Sequence, residues 1–355
     1  MSKYEILEKL VSINTVKDVG NAEIVDYIAE LLTTNGFKVE LISGRNNKKC
    51  LIAKSKKDCE IALLGHSDTV AYSDGWITNP FELVQKDSKL FGLGVCDMKG
   101  GIAAFLEAIT NTSIDKLKKG VMVIITFDEE IGFEGVKLIK DRKDIPKTII
   151  VGEPTDNEVI ISSKGCMEYE VTFKGKTVHS SSMVLGDNAI LKCMRFINEL
   201  TTLSNSLKED TNENFSTQYT TNNISIIEGG DCINKVPDKC KLLFDFRTVY
   251  ERHNEMLRTE VESLINKYNA NYKLITDIKP FNSTNKNKLK IIENILNSKP
   301  VGANFVTDGN FFEKRDIFII GPGPLTAHQE NEYIEAASFE KTVGVYQKII
   351  EQFCK

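Results

Sequence analysis

His66 and Asp68 in HSDTV, Asp97 in GLGVCDMKGG, Glu129 and Glu130 in DEE, Glu153 in GEPT and His328 in AHQENEY place imidazoles and carboxylates in five separate short segments. These groups are ligands for divalent cations, and a cation held by three side chains with one position left open assists hydrolysis. His66 and Asp68 stand two apart, so in an extended segment they share a face, and the acid can hydrogen-bond the far imidazole nitrogen of a metal-bound histidine. Asp97 lies in a glycine-rich turn before a helix, where its two oxygens could bridge two cations; an acid favoured by the helix dipole is the plainer alternative. Glu129 and Glu130 leave a strand in different directions, so one can bind metal while the other faces substrate as a proton carrier, unless both are simply first-turn acids of a following helix. Glu153 precedes a proline, which keeps its backbone extended. His328 follows a GPGP turn. Together the set suits two cations bridged by Asp97, each with one His and one Glu besides, and each with room for the attacking water.

Such scattered residues meet only if the fold gathers them. The runs IALLG at 61–65, VMVIITF at 121–127, TIIVG at 148–152 and FIIG at 318–321 are short and almost wholly apolar, as strands buried on both faces are. Each precedes one of the acidic or histidine-bearing segments, and in an open α/β sheet ligands collect beyond the carboxyl ends of the strands. Helices through EIVDYIAELLTTNG and GGIAAFLEAI alternate with these strands over residues 1–162. Residues 163–278 change texture to strand (MEYEVTFKG), helix (NAILKCMRFINEL), two strands (TTNNISIIEGG, KCKLLFDFRT), helix (EMLRTEVESLINKYN) and strand (NYKLITDIK). That order predicts a ferredoxin-like α+β insertion. The polar stretch 207–223 reads as a surface loop within it. From 279 to 355 the α/β pattern resumes with a helix, the DIFIIG strand and a final helix. The expected fold is thus α/β, a mixed-sheet hydrolase domain of residues 1–162 and 279–355 interrupted by a smaller α+β domain.

A chain of 355 residues with a net charge of −5 has ample length for two cores and offers no basic surface to nucleic acid or an anionic membrane. The N-terminal MSKYEILEKLVSINTV is charged and amphipathic, and no apolar run approaches the roughly 20 residues of a membrane span, so a cytoplasmic location is expected. Eight cysteines form no CxxC pair, which fits reduced, packed thiols, Cys96 beside Asp97 included. Gly92 and Gly94 begin like a dinucleotide fingerprint, but Asp97 occupies the place of its third glycine, so an NAD site is not expected.

The segments HSDTV, DGWITNPFELVQKDSKLFGLGVCDMKGG, DEE, GEPT, GKTVHSS, GGDCINKVP, DFRT and AHQENEY resemble, in order and spacing over essentially the whole chain, those of the dinuclear zinc family of aminoacylases and carboxypeptidases. The resemblance implies His66 and Glu153 on one zinc, Glu130 and His328 on the other, and Asp97 bridging, with cobalt or manganese also compatible with these ligands. It implies that Asp68 orients His66 and that Glu129 is the general base. His179 would stabilise the oxyanion, reaching the active site of a partner subunit in a homodimer built through the inserted domain. Asn234 and Arg247 match positions that contact substrate, Arg247 as a clamp for its α-carboxylate. Within the family the segments are nearer to the acetylornithine deacetylases than to the succinyl-diaminopimelate desuccinylases. The activity this implies is removal of a short acyl group from the α-nitrogen of an amino acid, N-acetylornithine first. Alternatives are desuccinylation, a dipeptidase or carboxypeptidase activity, and a non-catalytic homologue that binds amino-acid derivatives.

Overall fold

The computed structural model describes residues 3–17 and 19–355. Met1 and Ser2 of the amphipathic N-terminal segment lie outside that range, and the helix it forms is Glu5–Ser12. The chain divides into two compact units, one of Met1–Ile161, Asn282–Val301 and Thr307–Lys355, the other of Ser162–Phe281 and Gly302–Val306. Among the described residues no helix is long and apolar enough to cross a membrane.

In the larger unit six strands lie in the order Lys38–Ser43, Lys49–Lys54, Gly120–Thr126, Cys59–His66, Thr148–Val151 and Asp316–Ile319. Among the first three each runs antiparallel to its neighbour, and the last four are mutually parallel. Every residue of Gly120–Thr126, of Thr148–Val151 and of Asp316–Ile319 is buried, which is why these strands read as unbroken apolar runs instead of alternating ones. Ile61, Leu63, Val121, Val123, Ile125 and Ile150 face one core together with residues of Glu5–Ser12, Ala22–Thr34, Lys99–Thr110 and Ala336–Phe353. The intervening side chains Ala62, Leu64, Ile124 and Ile149 are equally buried on the other face, where the short helices Glu134–Lys137 and Asp308–Phe311 lie over neighbouring strands. The helix Lys99–Thr110 comes so near the sheet that a Cβ at Gly101 would stand 2.0 Å from the carbonyl oxygen of Gly152. Only glycine allows that approach, and it presses the helix start against the residue before Glu153.

The smaller unit is a four-stranded antiparallel sheet in the order Thr221–Gly229, Lys239–Thr248, Gly165–Lys174 and Asn271–Ile278. The helices Ala189–Ser206 and Glu251–Lys267 pack against it through Phe196, Leu200, Leu257 and Val261, which meet Tyr169, Phe173, Phe244 and Phe246. Strand, helix, two strands, helix, strand in this spatial order is the ferredoxin-like arrangement. Its two central strands alternate buried and half-buried residues, the period-two pattern of a sheet covered on one side. Two local expectations are revised. The stretch 207–223 opens with the 3-10 turn Leu207–Glu209 and becomes strand at Thr221. It is anchored between them by the buried side chains of Asn212, Phe215 and Thr220, so it is not a simple surface loop. The helix following DEE is a single turn, Glu134–Lys137, and Phe133 before it takes a left-handed φ of 61°, which a right-handed helix does not include, so Glu129 and Glu130 are not first-turn acids of that helix.

Candidate metal site

Each strand of the parallel set delivers its functional residue at or just past its carboxyl end. His66 is the last residue of Cys59–His66 and pairs with Thr126, the last of Gly120–Thr126. Glu129 and Glu130 leave the latter strand through a turn pinned at Asp128, whose side chain forms an ion pair with Lys48 in a nearly closed setting and whose carbonyl oxygen accepts the Phe133 N–H. Glu153 follows Thr148–Val151, and His328 lies in the loop beyond Asp316–Ile319. Asp97 arrives from the turn before Lys99–Thr110, with a cis peptide bond to Met98.

Asp97 is the centre of the group. Its Oδ1 lies 3.1 Å from His66 Nε2, and its Oδ2 lies 3.3 Å from His328 Nε2. His66 Nε2 is also 3.7 Å from a Glu153 oxygen, and His328 Nε2 is 3.1 Å from Glu130. Ligand atoms of His66, Asp97 and Glu130 fall within 4.8 Å of one another. That triad draws Glu130 toward His66, whereas the shorter contacts divide the site by Asp97 oxygen, His66 and Glu153 on one side, His328 and Glu130 on the other. The donor set is nitrogen and oxygen only, and Oε1 of Glu153 is buried without a hydrogen-bond partner. Unsatisfied buried oxygens are rare unless an ion or water completes them, so the residues present fit a cationic metal.

The Nδ1 of His66 is turned away from the group, 3.1 Å from the carbonyl oxygen of Asp68 and 3.6 Å from its carboxylate. The other Asp68 oxygen accepts the Glu130 N–H at 3.2 Å. One side chain thus steadies both a histidine and the start of the acidic turn, as partners behind metal ligands do.

The electrostatics describe a site that wants positive charge. Burial opposes a charged imidazole at His66, yet the Glu153, Asp68 and Asp97 carboxylates hold its pKa well above the usual value. Hydrogen bonds to Asp97 and Glu130 raise that of half-exposed His328 to about 10. Burial would raise the Asp97 pKa, but the two imidazoles outweigh it and keep the carboxyl below its ordinary range. Glu153 goes the other way, pushed up to about 8 chiefly by burial, which attraction to His66 only partly offsets while Asp97 and Glu130 add repulsion. Glu129 keeps some solvent contact, but burial and the neighbouring Glu153, Asp308 and Glu130 charges hold its pKa well above the usual carboxyl value. A carboxyl that binds its proton more tightly than an exposed one is suited to receive and return one near neutral pH.

Two buried acids were not singled out from the sequence. Glu332 accepts the backbone N–H groups of Gly94 at 3.0 Å, Cys96 at 2.7 Å and Asp97 at 3.0 Å, and so holds the turn that carries Asp97. It lies inside the AHQENEY segment, where only His328 drew attention. Asp308 is bonded by the Thr126 hydroxyl at the end of the central strand, and its Oδ1 has no partner. It lies in the NFVTDGNFF segment, whose polarity beside an apolar strand was the available signal. Cys96 is a packed thiol donating to the Pro324 carbonyl, raised to about 12 by burial.

His179, Asn234 and Arg247 belong to the smaller unit. His179 pairs in an isolated antiparallel bridge with Lys235, and the Ser180 N–H donates to the Asn234 carbonyl at 2.9 Å, so the first two are neighbours. The His179 Nδ1 lies 2.8 Å from the Ser181 hydroxyl, and Arg247 Nε donates to Asp245 at 3.1 Å.

A family model described as Peptidase family M20/M25/M40 matches residues 62–352. Acetylornithine deacetylase of Buchnera aphidicola subsp. Acyrthosiphon pisum (strain Tuc7) is 30% identical, over 99% of this chain and 98% of its own length. The acetylornithine deacetylase of the Schizaphis graminum subspecies (strain Sg) is 31% identical over 99% and 97%. Among solved structures, aminopeptidase PepT from Bacillus cereus superposes with a TM-score of 0.83 at 20% identity, covering 99% of both chains. An M20 family metallo-carboxypeptidase from Sulfolobus solfataricus gives 0.79 at 18%, again over 99% of both.

Proposed function

The chain belongs to peptidase family M20/M25/M40, and on that premise we propose that it is a metal-dependent amide hydrolase that removes the acetyl group from the α-nitrogen of N-acetylornithine, the activity named in its Buchnera relatives. The observation that carries the metal part is the division of Asp97, one oxygen toward His66 and the other toward His328. In this reading Asp97 would serve two divalent cations, zinc first, with His66 and Glu153 as further ligands of one and Glu130 and His328 as further ligands of the other. The cations, when bound, supply Lewis acidity toward the amide carbonyl and an acidified water.

The remaining work falls to side chains. Asp68 fixes the tautomer and direction of His66 through the contacts at Nδ1. Glu129, whose neighbour Glu130 is engaged by His328, takes the proton of the attacking water and returns it to the departing amine nitrogen, without which an amine leaves poorly. Residues of the smaller unit complete the reading: His179 as oxyanion donor, Asn234 and Arg247 on the substrate, and the unit itself as lid and dimer contact, with the enzyme in the cytoplasm. Release of ornithine and acetate by the metal-loaded protein tests the proposal, and a protein inert toward every N-acyl amino acid contradicts it.

A further inference from the structure

Beside His328 the larger unit carries a second feature that the hydrolytic chemistry does not use. A cleft of about 240 Å³ lies between the segment Val70–Trp76 and the loop His328–Glu332. Its lining includes Tyr72, Trp76, Gln329 and two carboxylates, Glu330 and Glu332, and no Lys or Arg. Glu332 is spent on three backbone N–H groups. Glu330 is exposed, and among the described residues no cationic side chain pairs with it. Its one partner is neutral, the Ser73 hydroxyl, which donates to Oε1 at 2.7 Å.

The cleft is built, not incidental. Asn331 accepts the Ile77 N–H at 2.7 Å, and its amide reaches the Gly75 carbonyl at 3.4 Å, so the two walls are tied at Gly75 and Ile77. The Glu330 carboxylate lies against the opposite wall at Gly75, where a Cβ would stand 2.0 Å from one of its oxygens. Tyr72 is braced edge-on by Phe81, ring centres 5.5 Å apart. His328 also lines the cleft, but its imidazole is engaged by Asp97 and Glu130, so the Glu330 carboxylate, met only by the Ser73 hydroxyl, and the aromatic side chains that share the lining favour a cation through charge and through the ring faces.

We propose that this cleft receives the side-chain ammonium of a diamino-acid substrate, with Glu330 as the specificity residue and Tyr72 and Trp76 as its aromatic walls. The proposal rests on the amide-hydrolase reading for the position of the scissile bond, and it deepens that reading by assigning the substrate's charge to named residues.

The substitution that tests it is Glu330→Gln, which keeps an oxygen for the Ser73 hydroxyl and removes only the charge. Wild-type metal-loaded protein is expected to show a KM for N-acetyl-L-ornithine roughly tenfold below that for N-acetyl-L-norvaline, which lacks only the ammonium, and E330Q is expected to abolish that difference with kcat little changed. A preference that survives E330Q, or an equal loss on both compounds, overturns the assignment. Trp76 is the only tryptophan of the chain and lines the cleft, so its fluorescence reads binding of the two compounds without turnover. Charge-selective binding lost in E330Q, with no hydrolysis of either compound, would keep the cleft and refute the hydrolase reading; equal binding of both compounds by wild type would refute the cleft alone.

Discussion

Glu332 accepts the backbone N–H of Asp97 at 3.0 Å while also accepting those of Gly94 and Cys96, so the residue that faces both histidines is held by an acid 235 positions away in the chain. Removing that acceptor leaves buried donors unpaired, at about 1–3 kcal/mol for a buried group. Glu332→Ala is expected to lower the melting temperature and weaken metal binding about 10–100-fold, the usual effect of losing a residue behind the ligands. Glu332→Gln, which can still accept, is expected to recover much of both. Chelator competition reads the affinity, and an Ala variant that binds metal as wild type does would contradict the role.

Glu129 is the side chain on which proton transfer depends in this account. Glu129→Gln is expected to retain its full metal content by elemental analysis and to lose kcat by ~10² to 10⁴. A Gln variant with wild-type turnover would move the proton carrier elsewhere.

Metal loading should release protons. The pKa of His328, about 10 without metal, lies above neutral pH, so its imidazole is charged there and must lose a proton to bind a cation. Apparent metal affinity is therefore expected to rise with pH from 6 upward, and calorimetry in buffers of different ionisation enthalpy should detect the released proton at pH 7. Binding that is independent of pH would show that the imidazole is not a ligand.

Glu107, on the helix Lys99–Thr110, supplies a separate test of the charge distribution. Burial, with repulsion from Glu340, raises its pKa to about 7. Because the folded value lies above the unfolded one, near 4.5, the group favours folding most below pH 4.5, and that contribution is lost as pH rises through about 7. Glu107→Gln is thus expected to melt higher than wild type at pH 8 and to show no such gain at pH 4.5. Parallel melting curves at both pH values check the sign.

Much of this was legible from residue order. Unbroken apolar runs ending in His66, Asp128-Glu129 and Glu153 announce parallel strands buried on both faces, and the alternation in Gly165–Lys174 and Lys239–Thr248 announces a sheet covered on one. What the sequence left open is set by backbone direction and distant contacts. Whether Glu129 or Glu130 turns toward His328 depends on the turn pinned at Asp128, and Glu332 acts on main-chain groups that carry no residue identity. The late start of the helix at Glu134 is not legible because a left-handed Phe133 is unusual for an aromatic residue.

The most direct test of the central claim is kcat/KM of the zinc-loaded protein on N-acetyl-L-ornithine beside N-succinyl-diaminopimelate and a simple dipeptide, with Glu129→Gln as the blank. The account predicts a preference for N-acetyl-L-ornithine of about a hundredfold, close to 2.7 kcal/mol in the transition state. Equal rates on all three compounds, or none above the Glu129→Gln blank, would contradict it.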